Sequence, residues 1–462
     1  MTVTQEQQVK ASQDDVIIHG STWAAIWHMS WPLLLHMSTI SIASFADIWV
    51  AGRLGSDAQA AIGIGGQIWF FMIILTVALS AGTTALVSRF WGARELDNTI
   101  DAARQSLFFA FIFGTASATV SLLICRPLLR FLGASPVVEQ LGWEYLRYDL
   151  LAHIPYTMLW VCNSIFRAKG NARTPMMIMA LITATVIVLN VFLCLGPPHL
   201  GISGIGLSWL IAGIIGSSLS LWALGHSDIK ACVDFRPILR AGMSREWLGR
   251  LMSIGVPACV EDLSWVGGNF VLFLIFTQTP DPTACQASWA VGLRLEEMVG
   301  GMPIYAFALA VATIVGQNLG AGQPKRAELA GWQVGAIGAG LNSVVGISLY
   351  LLAVPIAHVM SSEASVIEYS KQYLQIVGLS EPFVAIWLIL FGAMRGAGYT
   401  RWPMFASAFC LIGIRLPLAW YLTTVLKMGP TGTWIAVATS SVLVGSAAIW
   451  RFKTGVWKTQ KV

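Results

Sequence analysis

Acidic residues inside long apolar runs are the first candidates for chemistry, because an ionised group in a hydrocarbon interior costs several kcal/mol unless something holds it. Asp47 is the sharpest case. It lies in SFADIWVAGRLG, after about two turns of mostly apolar helix. A carboxylate there can take up and release a proton; the competing reading is an edge carboxylate tied to Arg53 or to a helix N-terminus. Asn190, in VIVLNVFLCLG, can offer its carbonyl to a cation or its amide to Asp47. Glu261 and Asp262 follow Pro257 by four and five residues. Neighbours on a helix point about 100° apart, so one of the two should face the interior, and Glu261 is preferred. Glu296 stands in VGLRLEEM with Glu297 after it and Arg294 close by, so a coupling role competes with pairing to Arg294 or to backbone. Glu381 precedes Pro382, which donates nothing to a helix ladder, so a loosened turn is expected beside this acid.

Other side chains have a cavity as their place. His36 and His153 could join a proton pathway, or be satisfied core histidines. Trp69, Phe70, Trp160, Trp265 and Tyr305 could line a site for flat, apolar or cationic ligands, or simply pack. Arg415, in GIRLPLAW, is the lone base deep in its segment and must find a partner. Seven cysteines sit mostly in apolar runs with no C-x-x-C, so neither disulfides nor a resident metal is expected. H-E-x-x-H, G-x-S-x-G and G-x-x-x-x-G-K-[ST] are all absent, which argues against an enzyme and against a nucleotide-driven pump. No resident cofactor is expected.

The elements that must position these residues are membrane helices. The chain is 56% hydrophobic and 11% charged, against about 25% charged for a soluble domain. Runs near 20 apolar residues recur throughout, each long enough to cross a bilayer as a helix. The pattern predicts twelve, at about 23–50, 59–90, 100–128, 138–166, 174–196, 201–226, 246–278, 284–317, 326–360, 366–395, 403–427 and 430–451. FRAKGNARTPM, from Phe166, returns as MRGAGYTRWPM, from Met394, 228 residues later. At that offset His153 falls on Glu381, and aligning Pro32 with Pro257 sets His36 opposite Glu261. The expected fold is therefore an all-α membrane protein with two pseudo-symmetric six-helix lobes, the usual build of a secondary transporter. The parts are a polar tail (1–22), a first lobe (23–226), a linker (227–245), a second lobe (246–451) and a basic tail (452–462). No cleavable signal peptide is expected. Roughly 20 of the 28 Lys and Arg fall in the tails and in alternate loops, which places both termini and the linker in the cytoplasm. Because those bases sit in loops, the net charge of +5 carries no nucleic-acid signal.

ADIWVAGRLG, AVATIVGQNLGAGQPKRA and EPFVAIWLILFGAMRGAGYTRWP, with the glycine-spaced LGISGIGLS, resemble the multidrug and toxic compound extrusion (MATE) family over nearly the whole chain. The resemblance implies two lobes forming a V in the plasma (inner) membrane. It implies antiport of organic, cationic or amphipathic drugs against H⁺ or Na⁺, with Asp47 the place for a transported Na⁺ and no other cofactor or metal. It also implies an ion-coupling role for Asp47 and a fifth-helix partner in Asn190. The second acid of that fifth-helix pattern is Cys194 here. Glu261 and Glu381 lie on helices that carry acids in some members, each about one turn early. The expected partners are small drug-like molecules and membrane lipids, with the chain acting as a monomer. The rival is a lipid-linked substrate flippase of the same superfamily. It would want a strongly basic cavity, whereas only Arg415, Arg294 and Arg147 lie deep.

Overall fold

The computed structural model describes residues 16–242 and 244–460. Most of the tail expected over 1–22 lies outside the described residues, as do Met243 of the linker and the last two residues. The described chain is helical throughout its regular elements. Twelve spans follow one another: α1 (Thr22–Leu54), α2 (Ser56–Gly92), α3 (Leu96–Phe131), α4 (Pro136–Ala168), α5 (Arg173–Leu195), α6 (Ser203–Gly225), α7 (Arg245–Phe276), α8 (Pro282–Gly320), α9 (Pro324–Leu351), α10 (Ala364–Gly378 continued by Glu381–Gly396), α11 (Arg401–Val425) and α12 (Pro430–Lys453). Ten are apolar and long enough to cross a bilayer, and α10 joins them when its halves, bent by 54°, count as one. The exception is α4, diluted by Glu139, Glu144, Arg147, Asp149 and His153. Apolar side chains such as Phe111, Val120, Leu123 and Ile124 on α3 stand exposed, as lipid-facing residues do.

The chain divides into two compact units, one built on Trp27–Gly255, the other on Val256–Val462 with Ile17–Ile26. In the first, α4 is the central helix, packed on α2, α3 and α6. In the second, the Glu381–Gly396 half of α10 has the same place, packed on α8, α9 and α12. The central helix of each unit is thus the one that ends in the repeated motif.

That motif is a helix stop. Gly170 and Gly398 both adopt positive φ, 91° and 78°. The Asn171 amide donates to the Phe166 carbonyl at 2.9 Å and the Tyr399 amide to the Met394 carbonyl at 2.9 Å. The Gly170 and Gly398 amides close the shorter inner bonds to Arg167 and Arg395 at 2.7 and 2.9 Å. This is a Schellman ending, which wants glycine at the left-handed position. The GQNLGAGQPKR stretch has its own use in the second unit. Asn318 and Arg326 donate to the Ile17 carbonyl at 3.3 and 3.0 Å, holding the segment that leads into α1.

Several spans are not uniform α-helix. Wider π turns occupy Val191–Leu195 in α5, Glu296–Gly301 in α8, and Ala408–Ile414 and Tyr421–Val425 in α11. Pro382 does not loosen a continuous helix as expected. It stands in the first turn of the second half of α10, where a missing N–H costs nothing, and the break lies before it at Leu379–Ser380.

Candidate ion and substrate sites

In the first unit, α1 delivers Asp47 to a position 9% exposed. Both of its carboxylate oxygens accept hydrogen bonds. Asn190 Nδ2 on α5 donates to Oδ1 at 2.6 Å, as the sequence allowed, and Trp209 Nε1 on α6 donates to Oδ2 at 2.8 Å. Arg53 is not a partner; its guanidinium lies over the Trp49 ring at 5.1 Å. Both donors on Asp47 are neutral. Neutral donors stabilise an anion without discharging it, so the site keeps its capacity for a proton or a metal cation. Asn190 stands at the last α-helical residue before the π turn that holds Cys194.

Asp149 on α4 joins this site and was not anticipated. It is 3% exposed, and its charge interacts with that of Asp47. Tyr145 and Tyr156 complete the face; the Tyr156 ring lies 5.5 Å from Trp209 and 6.4 Å from Trp69. Gly206 on α6 makes the fit possible, because a Cβ there would run into the Tyr145 carbonyl and the Asp149 backbone. Asp149 had a signal, an acid in a membrane helix, but YLRYDLLAH reads as a polar helix end because α4 is polar along its first half. Trp209 had none, since no spacing tells that its indole reaches α1.

The other cavity candidates of this unit are more enclosed than a lining role suggests. His36 is 1% exposed with its ring edge-on to Trp160 at 6.5 Å, and His153 is equally buried. Trp69 and Trp160 are half-buried, and Phe70 is exposed.

The second unit holds two clusters of its own. Glu261 and Asp262 both face Arg395, at 3.8 and 4.0 Å. The expectation that only one of the pair turns inward gives way to a shared guanidinium, with Glu261 deeper and Asp262 part-exposed. The repeat is instructive here. The counterparts of Glu261 and Arg395 are His36 and Arg167, and His36 feels the Arg167 charge, so one unit carries an ion pair where the other carries an imidazole beside a guanidinium. In the second cluster Tyr373 Oη donates to Glu296 Oε2 and Asn342 Nδ2 to Glu381 Oε2, both at 2.7 Å. The Glu296 and Glu381 carboxyls also feel each other's charge. Arg294, offered as a partner for Glu296, is instead 3.9 Å from Glu297. Arg415 is 3% exposed, donating to Ser440 at 2.7 Å and Asn269 at 3.2 Å, and its charge reaches Glu296. Trp265 and Tyr305 are half-buried, and Tyr305 interacts with Arg395.

The MatE family profile matches residues 32–193 and again 257–421, starting at the two prolines aligned above. The chain belongs to the MatE family. It is a transporter and not an enzyme. Among curated relatives, a probable multidrug resistance protein NorM of Thermotoga maritima is 24% identical over 90% of this chain and 89% of its own. The multidrug resistance protein PmpM of Pseudomonas aeruginosa is 26% identical over 87% and 85%. The FAD transporter of Shewanella oneidensis is 26% identical over 91% and 92%. Among solved structures, the MATE transporter VcmN of Vibrio cholerae in its bent form aligns with a TM-score of 0.85 at 22% identity, over 96% of this chain and 97% of its own. This MatE chain therefore shares that fold, with twelve transmembrane helices in two six-helix halves.

Proposed function

We propose that this MatE protein exports organic, cationic or amphipathic compounds across the inner membrane by alternating access, in exchange for H⁺ or Na⁺. The observation that carries the coupling half is Asp47. It is buried, it is held on both oxygens by neutral donors, and no basic side chain among the described residues interacts with it. Coupling needs an ion that binds one conformational state better than another, since equal binding to both moves nothing. A carboxylate in an apolar surround supplies that difference when the state change alters its access to water. The drug half is supported by the names of relatives such as NorM and PmpM, proteins of multidrug resistance. Aromatic groups around Tyr156 offer flat faces to such ligands. In this reading Asp47 and Asn190 are the primary coupling residues. The Glu296–Glu381 pair and Glu261 are auxiliary, and both termini face the cytoplasm.

The test is transport of ethidium in proteoliposomes under imposed pH or Na⁺ gradients, for wild type and Asp47→Asn. Gradient-driven transport in wild type that disappears in Asp47→Asn is the expected result, and the gradient that works identifies the ion. A wild type that ignores both gradients sinks the antiport reading.

A further inference from the structure

We propose that Asp149 is the second acid of the coupling site and holds the transported cation jointly with Asp47. The inference rests on the antiport reading and adds a residue and a charge balance to it.

The two carboxylates come from different helices, α1 and α4, and each lies in a surround that water barely reaches. Asp149 is 3% exposed, and its Oδ2 has no hydrogen-bond partner. The side chains that interact with it are Asp47, Tyr145 and Tyr156. No basic side chain among the described residues interacts with either acid. The other acids inside the described helices lie nearer a base. Glu261 and Asp262 have Arg395, and buried Glu381 interacts with Glu296, which has Arg415 within electrostatic reach. An acid pair in a dry interior without a counter-charge needs one from outside the chain.

Further oxygens point to the same need. Asn190 is fully buried; its amide nitrogen is spent on Asp47 while its Oδ1 has no donor. The Tyr156 hydroxyl, on a ring 4% exposed and packed against Trp209, is also unpartnered. The face thus presents two carboxylates, an amide oxygen and a phenol oxygen. Oxygen donors of this kind suit a proton or a hard monovalent cation and not a soft transition metal. The packing fixes Asp149 in this role. Gly206 seats α6 against the Tyr145 and Asp149 backbone, and Trp209, three residues on, is the residue that holds Asp47. Cys194, which feels the Asp47 charge, brings a thiol and no carboxylate to this site. His153 lies one turn beyond Asp149 on the same helix and is not among its interaction partners.

The experiment uses the full-length protein in proteoliposomes with ethidium as the probe, under imposed pH and Na⁺ gradients. Ethidium binding to the same detergent-purified preparations is followed by fluorescence anisotropy. Asp149→Asn is expected to lose at least about tenfold of gradient-driven transport while binding ethidium within about twofold of wild type, because the isosteric amide keeps the packing and removes only the cation site. Asp149→Glu keeps the charge but displaces it, and is expected to need at least about threefold more driving ion for half-maximal transport. Asp149→Asn that transports as wild type does, from the same gradient, overturns the proposal and leaves antiport standing. Should the Asn variant not fold, an unchanged ion dependence in Asp149→Glu overturns it equally. A wild type that binds ethidium but responds to neither gradient removes the antiport reading and this inference with it.

Discussion

At the scale of single residues, what separates the buried acids is the sign of what stands beside them. Trp209 and Asn190 lend Asp47 hydrogen bonds without charge. A donor of this kind favours the ion-free carboxylate, so removing it favours the ion-bound form. Trp209→Phe should therefore bind the driving ion more tightly. Half-maximal transport should move to about tenfold lower ion concentration, the equivalent of roughly 1.5 kcal/mol for a hydrogen bond to a charged group, with a lower maximal rate because release slows. A flux series in proteoliposomes measures this, and a shift to higher ion concentration would show that the indole positions Asp47 rather than stabilising it. Arg395 predicts an asymmetry. Removing it leaves two neighbouring acids without their base, so Arg395→Met should destabilise by about 3 kcal/mol or more. Glu261→Gln should cost less, since Arg395 keeps Asp262; melting of the detergent-solubilised variants compares the two. Asp47 and Asn190 were legible because a polar residue in an apolar run has few explanations. The partners were less so: Tyr373 lies 77 residues from Glu296 and Trp209 lies 162 from Asp47, and no local pattern encodes contacts across helices.

At the scale of elements, helix number and length followed from apolar runs, and the repeated motif followed from Gly and Pro at fixed offsets. Its physical content is a pair of Schellman stops at Gly170 and Gly398. A Cβ in that backbone region costs about 1–2 kcal/mol, so Gly170→Ala and Gly398→Ala should each lower the melting temperature, by similar amounts in the two copies. A melting point unchanged in either would mean that the stop is held by its surroundings and not by glycine. The departures from regular helix were not legible. An apolar run reads the same whether its carbonyls bond four or five residues on, and the choice is made by packing. Each of the four π turns nonetheless holds or adjoins a polar group turned inward: Asn190 precedes one, Glu296 opens another, Arg415 follows a third and Thr423 lies in the fourth. Such turns are frequent at functional sites. The break in α10 is of the same kind, with Glu381 at the first residue after it.

At the scale of the whole molecule, a duplicated scaffold has been given two different charge balances. Both units are built around the helix that ends in the repeated motif, α4 in one and the second half of α10 in the other. In the second unit, Glu296 and Glu381 would carry a single negative charge if they shared one proton, and Arg415 is within reach of Glu296 to match it. In the first, Asp47 and Asp149 sharing one proton would still be one charge short of neutral, with no base among their interaction partners. A unit whose charge is balanced by its own side chains can cycle without binding an ion, whereas an unbalanced one cannot. Glu381→Gln should therefore keep its dependence on the driving gradient, with at most a few-fold change in the ethidium concentration for half-maximal transport. Asp47→Asn should lose the gradient dependence altogether while its melting temperature holds. Both variants in one proteoliposome assay, each with and without the gradient, decide the matter. The reverse pattern, with Glu381→Gln uncoupled and Asp47→Asn still driven, would put the ion path through the second unit and make the Asp47 cluster a structural one.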